Sequence, residues 1–138
     1  MKYFTLVIAA LVLCSVSSCN KDGLPGPAST SIVGSWRWVK SVGGIAGMTI
    51  TPQSAGYNLT QVYGSDSTFK MFKKDSVMLS GKFSITRNYK YSATETIDLL
   101  KINDQQADAF IIRNDTLFMN DIFISDGFNS IYVRVKPD

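Results

Sequence analysis

The sequence predicts an all-β domain, a small antiparallel up-and-down barrel of about eight strands, and three observations predict it. Short runs of alternating apolar and polar residues recur from Ile32 onward, a period of two that turns one face of each strand inward. Turn residues interrupt those runs every eight to twelve positions or so, the rhythm of sandwiches and barrels. The chain carries eight Phe, six Tyr and two Trp, residues that suit half-buried pleated surfaces. No apolar helical period appears.

The chain opens on a leader. Lys2 supplies a short positive region, and Tyr3 to Leu13 form an apolar stretch too short to span a bilayer stably as a helix. Small residues then precede a cysteine, and Val16-Ser17-Ser18-Cys19 resembles the lipobox of bacterial lipoproteins. Cys14 does not fit, because Leu13 stands where a small residue is required. The resemblance implies that residues 1–18 are a signal peptide and that Cys19 becomes the lipidated first residue of the mature chain. Asn20-Lys21-Asp22 is similar to the lysine-plus-acidic surface-export signal of Bacteroidetes lipoproteins, with one acidic residue in place of several. The expected location is the outer membrane, facing the periplasm or the cell surface. Residues 19–31 are rich in Gly, Pro and Ser and form a tether without periodicity.

The domain, residues 32–138, follows. Val33 to Val42 makes the first strand and holds both tryptophans. Gly43 to Gly56 is a long, flexible connection. Tyr57 to Tyr63 and Ser67 to Lys73 are the next strands, closed by Gly64-Ser65-Asp66 and Lys74-Asp75. In Val77 to Arg87 the alternation is clearest: Val77, Leu79, Phe83 and Ile85 share the buried face, opposite Met78, Ser80, Lys82, Ser84 and Thr86. Gly81 falls in the buried row, where a missing side chain permits a bend. Strands from about Thr94 to Ile102, Ala107 to Arg113, Thr116 to Asn120 and Ser130 to Lys136 complete the set. Eight short strands can close into a barrel just wide enough for one small ligand. A solid barrel and an open sandwich satisfy the same strand pattern.

Gly34-Ser35-Trp36, at the start of the first strand, resembles the Gly-x-Trp signature of lipocalins, and Arg134 in the last strand resembles their carboxy-terminal arginine. The resemblance implies a calyx whose closed end is built by Gly34, Trp36 and Arg134, with the guanidinium packed over the indole. The chain departs from lipocalins in its shortness and in lacking a helix before its last strand.

Composition narrows the chemistry. The net charge of +3 is small and scattered, which gives no footprint for nucleic acid. Lys70, Lys73 and Lys74 are the one local concentration, and three lysines near one strand form a solvated face. There is no histidine, so the commonest general base and metal ligand is missing. Both cysteines, Cys14 and Cys19, precede the domain, which leaves it without a disulfide or thiolate site. Most aspartates lie in Asn/Asp turns that explain them; Asp98, inside a strand, is the exception, with Arg37 or Lys40 as its expected partner. The expectations are therefore no enzyme activity, no cofactor and no metal.

Trp38, Phe69, Met71 and Phe83 are the candidate pocket lining, and the same four suit a plain core. Asp66-Ser67-Thr68, Asp75-Ser76-Val77 and Asp115-Thr116-Leu117 resemble the O-glycosylation sequon of Bacteroidetes exported proteins, which would place sugar on Ser67, Ser76 or Thr116. A strand starting after an Asp turn accounts for all three equally well. The functional expectation is a monomeric, membrane-anchored protein that holds a small apolar or amphipathic ligand. The alternative is a solid barrel that recognises protein or glycan through its surface.

Overall fold

The computed structural model describes residues 30–136; the leader, Cys19 and most of the tether lie outside the described residues. The elements are β1 (Gly34–Gly43), β2 (Met48–Ile50), α1 (Pro52–Ala55), β3 (Leu59–Tyr63), β4 (Thr68–Lys73), β5 (Ser76–Lys90), β6 (Thr96–Ile102), β7 (Asp108–Arg113), β8 (Thr116–Asn120) and β9 (Phe128–Val135). Antiparallel neighbours run β1-β3-β4-β5-β6-β7-β8-β9, and β9 returns to β1 from Ser35↔Val135 to Gly43↔Phe128. The fold is a closed eight-stranded antiparallel barrel with one extra strand. Closure pairs the edges that an open sheet of these strands would expose.

The expected strands are present, and the connection from Gly43 to Gly56 holds more structure than its composition suggests. β3 pairs with β1 only from Gly34 to Arg37, and β2 takes over the same edge from Ser41 to Gly43. Thr51 then caps the single turn of α1: its hydroxyl accepts from the Ser54 amide at 3.2 Å, and Ser54 Oγ accepts from the Thr51 amide at 2.9 Å. Pro52 starts the turn and Gly56, at φ 74°, ends it in the left-handed region. A three-residue strand and a four-residue helix are too short to show a period in the sequence. The turn from β7 to β8 places Asn114 and Asp115 at φ 47° and 58°, a left-handed pair whose twist suits a two-residue hairpin.

The interior is filled by the inward rows of all eight barrel strands, with Trp36, Tyr63, Phe69, Leu100 and Leu117 fully buried. Three bulges alter which residues belong to those rows. Trp38 opposes Tyr132 but Lys40 opposes Ile131, so Val39 is an extra residue and Ser41 joins the inward row. In β5, Leu79 opposes Met71 while Val77 opposes Phe72, which makes Met78 extra. Val77 is thereby turned outward and is 55% exposed, a correction to its expected place beside Leu79, Phe83 and Ile85. The third bulge lies between Thr86 and Tyr89.

Gly81 keeps its place in the inward row, but its neighbour explains it better than a bend does. The Asn103 side chain crosses its backbone, accepting from the Lys82 amide at 2.9 Å and donating to the Ser80 carbonyl at 3.2 Å. A Cβ at Gly81 would lie 1.8 Å from Asn103 Oδ1. Gly81→Ala must expel that side chain and forfeit both bonds, an expected loss of about 1–2 kcal/mol. Urea denaturation checks this; a variant as stable as the parent would mean that Asn103 contributes nothing to the β5–β6 corner.

Candidate functional site

The two ends of the barrel differ. At one, β1 begins, β9 ends and the β7–β8 turn lies between them. Trp36 is fully buried there, and its indole N–H donates to the Ile32 carbonyl at 2.7 Å. Arg134, its partner across the β1–β9 ladder, sets its guanidinium 4.2 Å from the ring centroid. The same guanidinium donates to the carbonyls of Val33 (3.0 Å) and Ser31 (2.6 Å) and to the Asp115 carboxylate (3.0 Å). Asp115 thus does more than make a turn, a role its Asn-Asp context in the sequence concealed. These contacts seal this end.

At the other end β6 and β8 finish and β7 and β9 begin, and there the interior opens into a cavity of about 250 Å³. Its apolar wall comes from Phe69, Met71, Leu79, Ile102, Met119 and Phe128; its polar groups include Gln61, Asp108, Asp121, Ser130 and Tyr132. Of the four expected lining residues, Phe69 and Met71 are in that wall. Trp38 and Phe83 are not. Trp38 stacks on Tyr57 at 6.1 Å and donates to Ser41 Oγ at 2.9 Å, while Phe83 meets Tyr63 edge-on at 5.2 Å. Both are core.

Behind the cavity runs a buried polar chain. Tyr63 Oη donates to Gln61 Oε1 at 2.8 Å, and Gln61 Nε2 donates to Tyr132 Oη at 3.2 Å. Ser41 and Ser130 hydroxyls lie 2.7 Å apart beside it. Burial pushes the Tyr63 phenol well above its usual range, with help from Tyr132 and Asp108, and takes Tyr132 up to about 12. Gln61 was detectable as the one polar residue in an inward strand row that reads Leu59, Gln61, Tyr63. Asp108 stands likewise at the head of the row Asp108, Phe110, Ile112.

Asp108 is the most perturbed carboxyl, raised to about 6 by burial and by the neighbouring Asp121. Raised above its ordinary value of 3.8, it binds a proton more tightly in the folded barrel than in the unfolded chain. Its contribution therefore favours folding at low pH and is lost as pH rises through about 6. Asp108→Asn, which cannot ionise, is expected to match the parent near pH 3.5 and exceed it at neutral pH. The gain should be on the order of 1–2 kcal/mol once water in the cavity is allowed for. Denaturant midpoints at both pH values test this; a constant difference between the two proteins would show that Asp108 is not the titrating group.

Asp98 has a different partner from those expected. It pairs with Arg87 and accepts from the Asn88 amide at 3.0 Å across the β5 bulge. Burial alone would raise it; the Asn88 amide and Arg87 outweigh that and hold it below the usual carboxylate range. Ser67 and Ser76 are exposed at hairpin turns, and Thr116 is half-buried. Lys70, Lys73 and Lys74 are all exposed, with Lys73 set 4.0 Å from the centre of the Tyr57 ring.

A second depression, about 460 Å³, lies in the wall where β6 and β7 part beyond their short pairing from Asp98↔Phe110 to Leu100↔Asp108. It is larger but mostly polar, with Asn88, Glu95, Asp98 and Arg113 among its lining. The interior cavity joins an apolar wall of core side chains to a few polar groups, the combination that a small-molecule site requires. Among the described residues, no three His, Cys, Asp or Glu side chains group as a metal site would need. Comparison of the chain with protein-family models, curated proteins and solved structures finds no match.

Proposed function

We propose that this chain is a lipid-anchored outer-membrane protein that holds one small amphipathic molecule in its barrel and performs no covalent step. The observation that carries the reading is the cavity of about 250 Å³ open at the end opposite the Trp36–Arg134 seal. An apolar body buried against Phe69, Met71 and Met119 would supply affinity at roughly 25 cal/mol per Å² removed from water. Polar groups at one end would fix its orientation. Native mass spectrometry of the full chain, extracted from its host envelope in mild detergent, tests the reading. A discrete small molecule released on denaturation supports it, and an empty protein after exposure to host envelope extract counts against it.

The anchor rests on the Val16-Ser17-Ser18-Cys19 motif. Each buried acyl methylene contributes about 0.8 kcal/mol, so two or more chains hold firmly. Cys19→Ala is expected to move the chain out of the membrane pellet and abolish incorporation of labelled fatty acid; unchanged labelling would remove the anchor. Because the chain enters β1 through Ile32 and Val33 at the sealed end, a tether from Cys19 would leave the mouth remote from the attachment point. Sugar on Ser67, Ser76 or Thr116 is a subsidiary proposal that intact mass of the native protein decides.

A second reading is favoured by the wall depression and the apolar residues exposed on the wall. Ile111 lines it at 43% exposure, and Tyr89, paired with Ile97 of the same lining, meets Phe123 edge-on at 6.5 Å. On that reading the barrel recognises a protein or glycan through its outside, and the interior is structural.

A further inference from the structure

The charge distribution around the cavity bears on what could occupy it. Asp108 opens β7 and Asp121 follows β8, and both line the mouth. Neither carboxylate has a hydrogen-bond or ion-pair partner among the described residues. No lysine or arginine lines the cavity; its other polar groups are the neutral Gln61, Gln105, Ser130 and Tyr132. The remaining wall is apolar. Two carboxylates beside one another in a partly dry site repel, and a ligand that brings a cation relieves the repulsion. A ligand that brings a carboxylate or phosphate adds to it.

We propose that the occupant of the cavity is a small amphipathic primary amine, its ammonium group set between Asp108 and Asp121 and its hydrocarbon body against Met71, Leu79, Ile102 and Met119. The proposal rests on the small-ligand reading of the barrel and narrows it. Fatty acids and other anionic amphiphiles are excluded by the same groups that admit the amine. An ammonium supplies donors, and the carboxylates, Tyr132 Oη and Ser130 Oγ offer acceptors around it. At about 250 Å³ the space is below that of most drug-sized sites, which suits a short alkyl or arylalkyl chain. Among the described residues no third His, Cys, Asp or Glu joins the two carboxylates, and the apolar side chains of the wall suit the hydrocarbon body of an organic cation. Asp108 and Asp121 are the acids facing the mouth and Tyr132 is the remaining titratable group in the lining. The raised affinity of Asp108 for its proton implies that amine binding should strengthen as pH rises from about 5 to about 7.

The test uses residues 20–138, which keep all nine strands of the sheet, and three probes of one length: hexylamine, hexan-1-ol and hexanoate. Calorimetric titration at neutral pH gives the affinities, and backbone amide shifts at the cavity residues locate the binding. Hexylamine is expected to bind at least about tenfold more tightly than either other probe. In Asp108→Asn and in Asp121→Asn the ratio of hexylamine to hexan-1-ol affinity should fall to within about threefold. Equal binding of hexylamine and hexan-1-ol, or tighter binding of hexanoate, would overturn the amine proposal while leaving a ligand-binding barrel. Shifts from none of the three at millimolar concentration would remove the cavity reading itself.

Discussion

Trp36→Ala should cost about 3–5 kcal/mol, a large part of what a domain of this size has to lose. The indole is fully buried at the sealed end, so its removal leaves a cavity that the β1–β9 ladder prevents from collapsing. It also strands the Ile32 carbonyl, which loses its 2.7 Å bond, and the Arg134 guanidinium, which loses the ring 4.2 Å from it. Arg134→Ala should cost less, about 1.5–3 kcal/mol, because the charge leaves with its bonds to Ser31, Val33 and the partly exposed Asp115. The double variant should lose about 1 kcal/mol less than the sum of the two. Denaturant unfolding of all four proteins measures the cycle. Strict additivity would mean that stacking in this pair contributes no energy.

The second large effect concerns Gln61, the one buried polar or charged residue of the described interior. Its side chain accepts from Tyr63 and donates to Tyr132. Gln61→Leu preserves bulk and removes both functions. Tyr63, 1% exposed, is left with a phenolic proton and no acceptor, which costs about 1–3 kcal/mol. Tyr132 suffers less, because its hydroxyl keeps Ser130 as a hydrogen-bond partner. An expected loss of about 2–4 kcal/mol follows. The triple variant Gln61→Leu/Tyr63→Phe/Tyr132→Phe should recover most of it, since polar groups removed together leave no orphan. Failure of the triple variant to recover would place the cost in shape rather than in hydrogen bonding.

The strand plan was legible because alternation survives in each run and Asn/Asp turns mark the ends. What alternation cannot carry is the effect of one extra residue. Val39 and Met78 look like ordinary members of their rows, yet as bulges they turn Ser41 inward and Val77 outward. Nor does alternation distinguish a filled interior from a hollow one: Trp38 and Phe83 face inward as Phe69 and Met71 do, and only the latter pair meets empty space. That difference depends on how eight strands stagger against one another, which no single run encodes. The acids of the mouth differ in this respect: Asp121 lies in an Asn-Asp pair that a turn explains, whereas Asp108 stands at the head of an inward row and could have been read there. The tie from Asp115 to Arg134 spans strands that only the closed barrel brings together.

The seam between β1 and β9 has a kinetic consequence. It joins residues about a hundred positions apart, such as Trp36 and Arg134, so the loop that must close is nearly the whole domain. Hairpins β3–β4, β4–β5 and β7–β8 can form early from near neighbours, whereas the final closure waits for the last strand. Until then the inner edge of β1 is bare and the future interior is open to other chains. A chain cut short before Phe128 would therefore be an open sheet prone to self-association, rather than a slightly smaller barrel.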